Sequence, residues 1–238
     1  MNTQPKVRLH LFFATENSGA LILRRAKDKL YNLVFWDRET NSFFEGQWIK
    51  NHVQPDYCGL SPDGRHFLYF VTNADGRWAA SESDTVISRP PLFTALALFP
   101  RGVIWQLGGC FRSNHQYIIE GDMLTDDIIG KAPRLTQIVR GEATRTCCSG
   151  LRLLIGQPAP LSRALRDKLF DGLALSHDKA MDLYETVKGV FYRRRGKNLE
   201  LIRDFTNMDP QFKPAPYSEP EMTQDAPGWH PLDEEHPR

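Results

Sequence analysis

The sequence lacks the long apolar runs and the leader pattern of membrane and secreted proteins. Its longest apolar stretch, residues 92–100, is far shorter than the roughly 20 residues that a helix needs to span a bilayer. Residues 1–6 show no positively charged start followed by an apolar run, so no signal peptide is expected. We therefore predict no membrane association and a cytoplasmic location.

Cysteine is scarce as well. Four cysteines stand in 238 residues, at Cys58, Cys110, Cys147 and Cys148, and two adjacent cysteines cannot easily bridge to each other. This usage indicates reduced thiols rather than a disulfide framework. A metal site assembled in space from Cys58, Cys110 and a histidine stays open, although buried structural thiols are the ordinary outcome.

The chain also lacks an excess of either positive or negative charge. The chain has 30 Lys+Arg and 29 Asp+Glu, a net charge of +1, which provides no global field to attract nucleic acid. The one basic concentration is residues 193–195 together with Lys188 and Lys197. Because alternate residues of a hairpin point to opposite faces, this run favours a solvated turn over a nucleic-acid contact.

Motifs of known catalytic chemistry are absent. There is no Gly-x-Ser-x-Gly elbow, no His-x-x-x-His pair and no glycine pattern that cradles a phosphate. We therefore assign no catalytic residue, no metal ligand and no cofactor. The densest carboxylate cluster, Asp122, Asp126 and Asp127, fits either general acid–base chemistry or a solvated acidic loop, and the two alternatives stay open.

What the sequence does contain is a succession of strand and turn patterns. Ser61-Pro-Asp-Gly64 has the residues of a tight turn, in which Gly64 supplies φ > 0, and an alternating strand follows it. Similar units recur about every 10–13 residues between residues 7 and 120, which is typical of an all-β protein. We therefore predict that strands exceed helices.

The C-terminal half is less regular. Residues 163–171 have the cap and apolar stripe of a short helix, and residues 178–187 fit a helix in part. Residues 187–205 predict a hairpin. Residues 208–238 hold seven of the 16 prolines and several carboxylates. We therefore predict a β-rich domain over residues 1–207 and a proline-rich acidic tail over residues 208–238, partly disordered.

Two resemblances extend this interpretation. The Ser-Pro-Asp-Gly turn and Phe35-Trp-Asp-Arg-Glu-Thr-Asn41 resemble the strand and turn units of WD40-like propellers. A blade needs about 40–45 residues. The resemblance implies a small or incomplete β-propeller-like array of antiparallel hairpins, with one or two short helices.

The second resemblance rests on four segments. They are Cys58-Gly-Leu-Ser-Pro-Asp-Gly64, Ser88-Arg-Pro-Pro91, Thr94-Ala-Leu-Ala-Leu98 and Trp105 with Gly108 and Gly109. Together they resemble a family of bacterial proteins whose function is uncharacterised. The resemblance implies a shared β fold and no particular activity.

The expected function follows from these absences and from the aromatic content of five Trp, 14 Phe and seven Tyr. We predict a non-enzymatic module that binds another protein. Tryptophan and arginine concentrate at interface hot spots, so Trp78, Arg89 and Trp105, which lie in or near the family-like segment, are the candidate binding residues. Two alternatives stay open: a hydrolase with a site built from scattered residues, and an immunity or inhibitor protein that blocks a toxin.

Overall fold

The computed structural model describes residues 7–26, 29–72, 82–101, 108–119, 128–130, 132, 134–138, 152–153 and 184–216. Strands account for more than half of these residues, and their one helical element is a short 3-10 turn at Pro55–Tyr57. The strands are β1 (Arg8–Phe13), β2 (Gly19–Arg25), β3 (Leu30–Asp37), β4 (Ser42–Lys50), β5 (His52–Val53), β6 (Gly59–Leu60), β7 (Phe67–Thr72), β8 (Ser83–Ser88), β9 (Ala95–Arg101), β10 (Gly109–Phe111), β11 (Gln116–Ile119), β12 (Ile129–Gly130), β13 (Thr136–Gln137), β14 (Arg152–Leu153), β15 (Tyr184–Val187), β16 (Val190–Arg195) and β17 (Asn198–Asp204).

The strands form four sheets. The N-terminal sheet has the order β14-β1-β2-β3-β4, and the central sheet has the order β12-β9-β8-β7-β5, with β6 also paired to β7. The small sheet is β10-β11-β13, and the C-terminal sheet is β15-β16-β17. All described pairings are antiparallel except that between β11 and β13. Short turns between sequential strands produce this pattern, since a tight turn joins only antiparallel strands.

Apolar side chains stack the four sheets face to face. Phe12 and Leu33 of the N-terminal sheet share one core with Phe67 and Tyr69 of the central sheet. The opposite face of the N-terminal sheet packs on the C-terminal sheet, and the opposite face of the central sheet packs on the small sheet. The order of layers is therefore C-terminal, N-terminal, central and small. The C-terminal sheet forms one end of the stack.

The all-β prediction and the prediction of antiparallel hairpins are confirmed. Each sheet of the described residues ends in edge strands, so none of these sheets closes into a barrel. The ambiguous segment before Lys188 is resolved for Tyr184–Val187, which is a strand. The helix predicted over residues 163–171 lies outside the described residues.

Gln47 joins three distant parts of the chain at the edge of the N-terminal sheet. Its side-chain oxygen accepts hydrogen bonds from Phe93 N (2.8 Å), Thr94 N (2.9 Å) and Thr94 Oγ1 (3.0 Å). Its side-chain nitrogen donates to the carbonyl oxygens of Lys213 and Pro214. The side chain thus fixes the loop after β8 and the segment after β17 on strand β4.

Candidate protein interface

Of the three binding residues expected from the sequence, the structure describes Arg89 alone. Trp78 and Trp105 lie outside the described residues. Arg89 directly follows β8 and is half-buried. It precedes Pro91, whose carbonyl oxygen accepts a hydrogen bond from Gln47 N at 3.0 Å. Arg89 therefore lies near the junction of the central and N-terminal sheets, and its role in binding stays a prediction.

Ser61 is held by the contacts of its own turn. Its fully buried hydroxyl donates to Asp63 Oδ1 at 2.6 Å and accepts a hydrogen bond from His66 N at 2.9 Å. Gly64 has φ of 73°, the positive value that its place in the turn predicts. The hydroxyl contacts no imidazole nitrogen in these bonds, so its environment is that of a turn residue rather than of a nucleophile.

His66, at the end of this turn, is a buried neutral histidine. Burial lowers its pKa from 6.5 to about 4, and the Asp63 carboxylate partly opposes this effect. The positive charges of Arg89 and Arg65 lower the pKa further. The imidazole ring lies 6.3 Å from the ring of Phe111 between their centroids. The side chain is therefore uncharged at neutral pH and belongs to the packing between the central and small sheets.

The cysteines do not form the metal site that the sequence left open. Cys58 is a free buried thiol whose Sγ donates to Gln54 O at 3.2 Å, and burial raises its pKa to about 12. Cys110 is disulfide-bonded, so the expectation of reduced thiols is wrong for this residue. No group of three potential metal ligands occurs among the described residues. Asp122, Asp126 and Asp127 lie outside them.

The C-terminal sheet presents an exposed apolar surface. Its two turns are tight: Lys188 and Gly189 both have positive φ, and Gly196 has φ of 63°, as two-residue hairpin loops require. The face turned away from the core carries five apolar side chains, which we call the outer face: Val187, Val190, Tyr192, Leu199 and Leu201. Leu201 is 60% exposed, Leu199 43% and Val187 42%.

The opposite face of the same sheet is firmly anchored. Phe191 is fully buried, and its ring packs edge-on against Trp36 with the centroids 5.0 Å apart. Tyr184 contacts the same tryptophan edge-on at 5.2 Å. At the far end, buried Arg24 donates to Phe205 O at 2.7 Å and to Thr206 O at 3.2 Å. The outer face therefore has a rigid base.

The basic side chains of the C-terminal sheet divide between its two faces: Arg194 shares the outer face, whereas Arg193, Arg195 and Arg203 lie on the face of Phe191. The segment from Tyr184 to Asp204 carries six cations and three anions: Lys188, Arg193, Arg194, Arg195, Lys197 and Arg203 against Glu185, Glu200 and Asp204. Two ion pairs, Arg194–Glu185 and Arg195–Glu200, lie within the sheet, and a third joins Arg203 to Glu45 of the N-terminal sheet. Lys188 and Lys197 are exposed in the two turns. The sheet thus combines apolar area with an excess of positive charge.

Sequence reasoning missed this surface, although a signal was present. Leu199 and Leu201 alternate with polar Asn198 and Glu200 at the start of β17, a pattern that by itself predicts a strand with its apolar side chains on one face. Nothing in the pattern reveals whether that face is buried. Exposure is decided by the other strands, since Phe191 and Tyr184 use the opposite face for the core.

The fold and this surface define an all-β protein with an exposed apolar sheet face at one end of a four-sheet stack. Comparison with protein-family models, with curated proteins and with solved structures finds no match to this chain. The part of the chain that the structure describes contains no candidate membrane-spanning helix.

Proposed function

We propose that this protein is a non-enzymatic binding module that presents the outer face of its C-terminal sheet to a protein partner. The observation that carries the proposal is the exposure of Leu201, Leu199 and Val187 beside Tyr192 on one sheet face. An exposed, contiguous apolar patch with a polar rim is typical of a site that binds another molecule. Tyrosine and arginine, both present here, are the residue types that dominate binding energy at interfaces.

The energetics favour a rigid surface of this kind. Burying a leucine side chain that was exposed contributes about 1.5–3 kcal/mol. Association is opposed by the ordering of flexible segments, and here Phe191 and Trp36 already hold the sheet in place. Most of the free energy gained by burying Leu199 and Leu201 in a contact therefore contributes to the affinity for the partner.

Four further expectations from the sequence remain part of this proposal: the candidate binding residues, the fold relationship, the kind of binding module and the location in the cell. Trp78, Arg89 and Trp105 stay a second set of candidate binding residues, and an incomplete WD40-like propeller stays the fold relationship expected from the sequence. An immunity or inhibitor protein would be one form of the binding module. The expected cytoplasmic location rested on the missing leader pattern as well as on reduced thiols, and the disulfide at Cys110 counts against the thiol argument because such bonds persist in oxidising compartments.

The test is capture of the partner by the tagged full-length protein in its native host, followed by quantitative mass spectrometry. We expect Leu201→Asp to lose the captured protein, because the charge cannot be buried in an apolar contact. Phe44→Asp is the matched control, since Phe44 is 54% exposed on a different sheet. Equal capture by wild type and Leu201→Asp would refute the proposal, as would turnover of a small substrate by the purified chain.

A further inference from the structure

The hairpin geometry fixes the direction of the backbone groups of β17. Arg195 and Asn198 flank the two-residue turn, so they form a hydrogen-bonded pair. In an antiparallel ladder such pairs alternate with pairs that share no hydrogen bond. Glu200 is therefore bonded to β16, whereas the N–H and C=O groups of Leu199 and Leu201 point away from β16.

A contact at the opposite end of the sheet agrees with this alternation. Phe205 N donates to Gly189 O at 2.9 Å, which continues the series of bonded pairs. In the described part of the chain β17 pairs with β16 alone. Its residues 198–201 are exposed. The edge next to the outer face is consequently a row of outward-pointing backbone groups.

We propose, on the basis of the binding function inferred above, that β17 recognises its partner by strand addition. The occupant is an extended segment of a partner protein with apolar side chains at alternate positions and an acidic side chain at the end next to Lys197. The added strand would bond to the N–H and C=O groups of Leu199 and Leu201. Its alternate side chains would continue the apolar surface of Leu201, Leu199 and Tyr192, because side chains of neighbouring strands share one face.

The charges select an acidic segment. All three anions of the sheet have partners: Glu185 and Glu200 pair with arginines, and Asp204 accepts hydrogen bonds from Thr206. Lys188 and Lys197 lie in turns at opposite ends of the sheet. The turn of Lys197 directly precedes residues 198–201, so an acidic residue at that end of an added strand would lie near this lysine.

The length of the recognised segment is also set by β17. The register shifts between Phe191 and Tyr192, so an irregularity interrupts the β17 ladder near Ile202. A bulge bends a strand and ends regular pairing. Addition is therefore limited to the regular part, residues 198–201, and the core of the recognised segment is about four residues long.

The probe is a fluorescent ten-residue peptide, Asp-Glu-Val-Thr-Val-Thr-Val-Thr-Glu-Asp, titrated onto the full-length protein and followed by anisotropy. The first control has the same composition with its three valines contiguous. The second control consists of two N-methylated versions of the probe. One version, or phase, carries N-methyl groups on the odd-numbered backbone nitrogens, and the other carries them on the even-numbered ones. We expect the permuted peptide to bind at least tenfold more weakly. Only one N-methyl phase should lose binding, because only alternate amides face β17.

Protein variants complete the test. Leu201→Asp and Lys197→Glu should each weaken binding of the probe at least tenfold, whereas Phe44→Asp should leave it unchanged. No binding of the probe, equal binding of the permuted peptide, or equal effects of the two N-methyl phases would overturn strand addition. If Leu201→Asp still abolishes partner capture in that case, the binding function stands and the recognition mode alone is wrong.

Discussion

Replacing Gln47 with methionine tests how the loop after β8 and the segment after β17 are held to the N-terminal sheet. The buried side-chain oxygen of Gln47 accepts from Phe93 N, Thr94 N and Thr94 Oγ1. Methionine has nearly the same shape but cannot accept these bonds. The substitution leaves two buried backbone N–H groups without partners.

The magnitude follows from those two groups. A buried donor left without a partner costs about 1–3 kcal/mol, so we expect Gln47→Met to lower the free energy of unfolding by about 2–6 kcal/mol. Equilibrium denaturation of the full-length protein, monitored by tryptophan fluorescence and circular dichroism, measures this difference. A loss below about 0.5 kcal/mol, the size of an ordinary surface substitution, would refute the reasoning.

A second variant separates the two halves of the side-chain amide. A chain that ends at Asn207 removes Lys213 and Pro214, whose carbonyl oxygens accept from the Gln47 side-chain nitrogen at 3.3 and 3.2 Å, and leaves the oxygen contacts intact. We expect it to lose less stability than Gln47→Met, because the freed amide hydrogens can bond to water. A larger loss would show that the segment after β17 is the main structural element at this edge.

Three further predictions concern the turn, a buried histidine and the thiols. Gly64→Ala should lower stability by roughly 1 kcal/mol or more, since Gly64 has φ of 73° and an added Cβ would lie 3.2 Å from Ala14 Cβ; an unchanged denaturation midpoint would count against it. Folding lowers the pKa of His66 from 6.5 to about 4. The resulting contribution to the free energy of unfolding, up to about 3 kcal/mol, is present above pH 6.5 and is lost as the pH falls toward 4. The stability of His66→Gln should therefore vary less over that range, and parallel curves for both proteins would contradict the assignment. With Cys110 in a disulfide, thiol titration of the unreduced, denatured chain should find two of the four cysteines, whereas four would restore the reduced state.

Local signals predicted the fold class well because β architecture is encoded in short turns. Pro62, Asp63 and Gly64 carry the conformational preferences of one tight turn, and the structure has that turn with Gly64 at positive φ. The alternating residues around Leu33 and Phe67 predict strands, and both lie in strands that bury them. These features depend on neighbours in sequence, so no knowledge of the tertiary structure was needed.

The site could not be predicted in the same way. Leu201 and Leu33 are both apolar residues in strands, yet one is 60% exposed and the other fully buried. The difference arises because the N-terminal sheet is covered on both faces, whereas the C-terminal sheet is covered on one. Stacking order is a long-range property, as the contacts of Gln47 with residues more than 160 positions away also show.

The most direct measurement of the central claim is photocrosslinking from the outer face. Benzoylphenylalanine replaces Leu201 in one full-length protein and Phe44 in another, and both are irradiated in the native host. The binding account predicts a discrete crosslinked species of higher mass from position 201 and none of that mass from position 44. The same species from both positions, or none from position 201 while the protein is folded, would contradict the account.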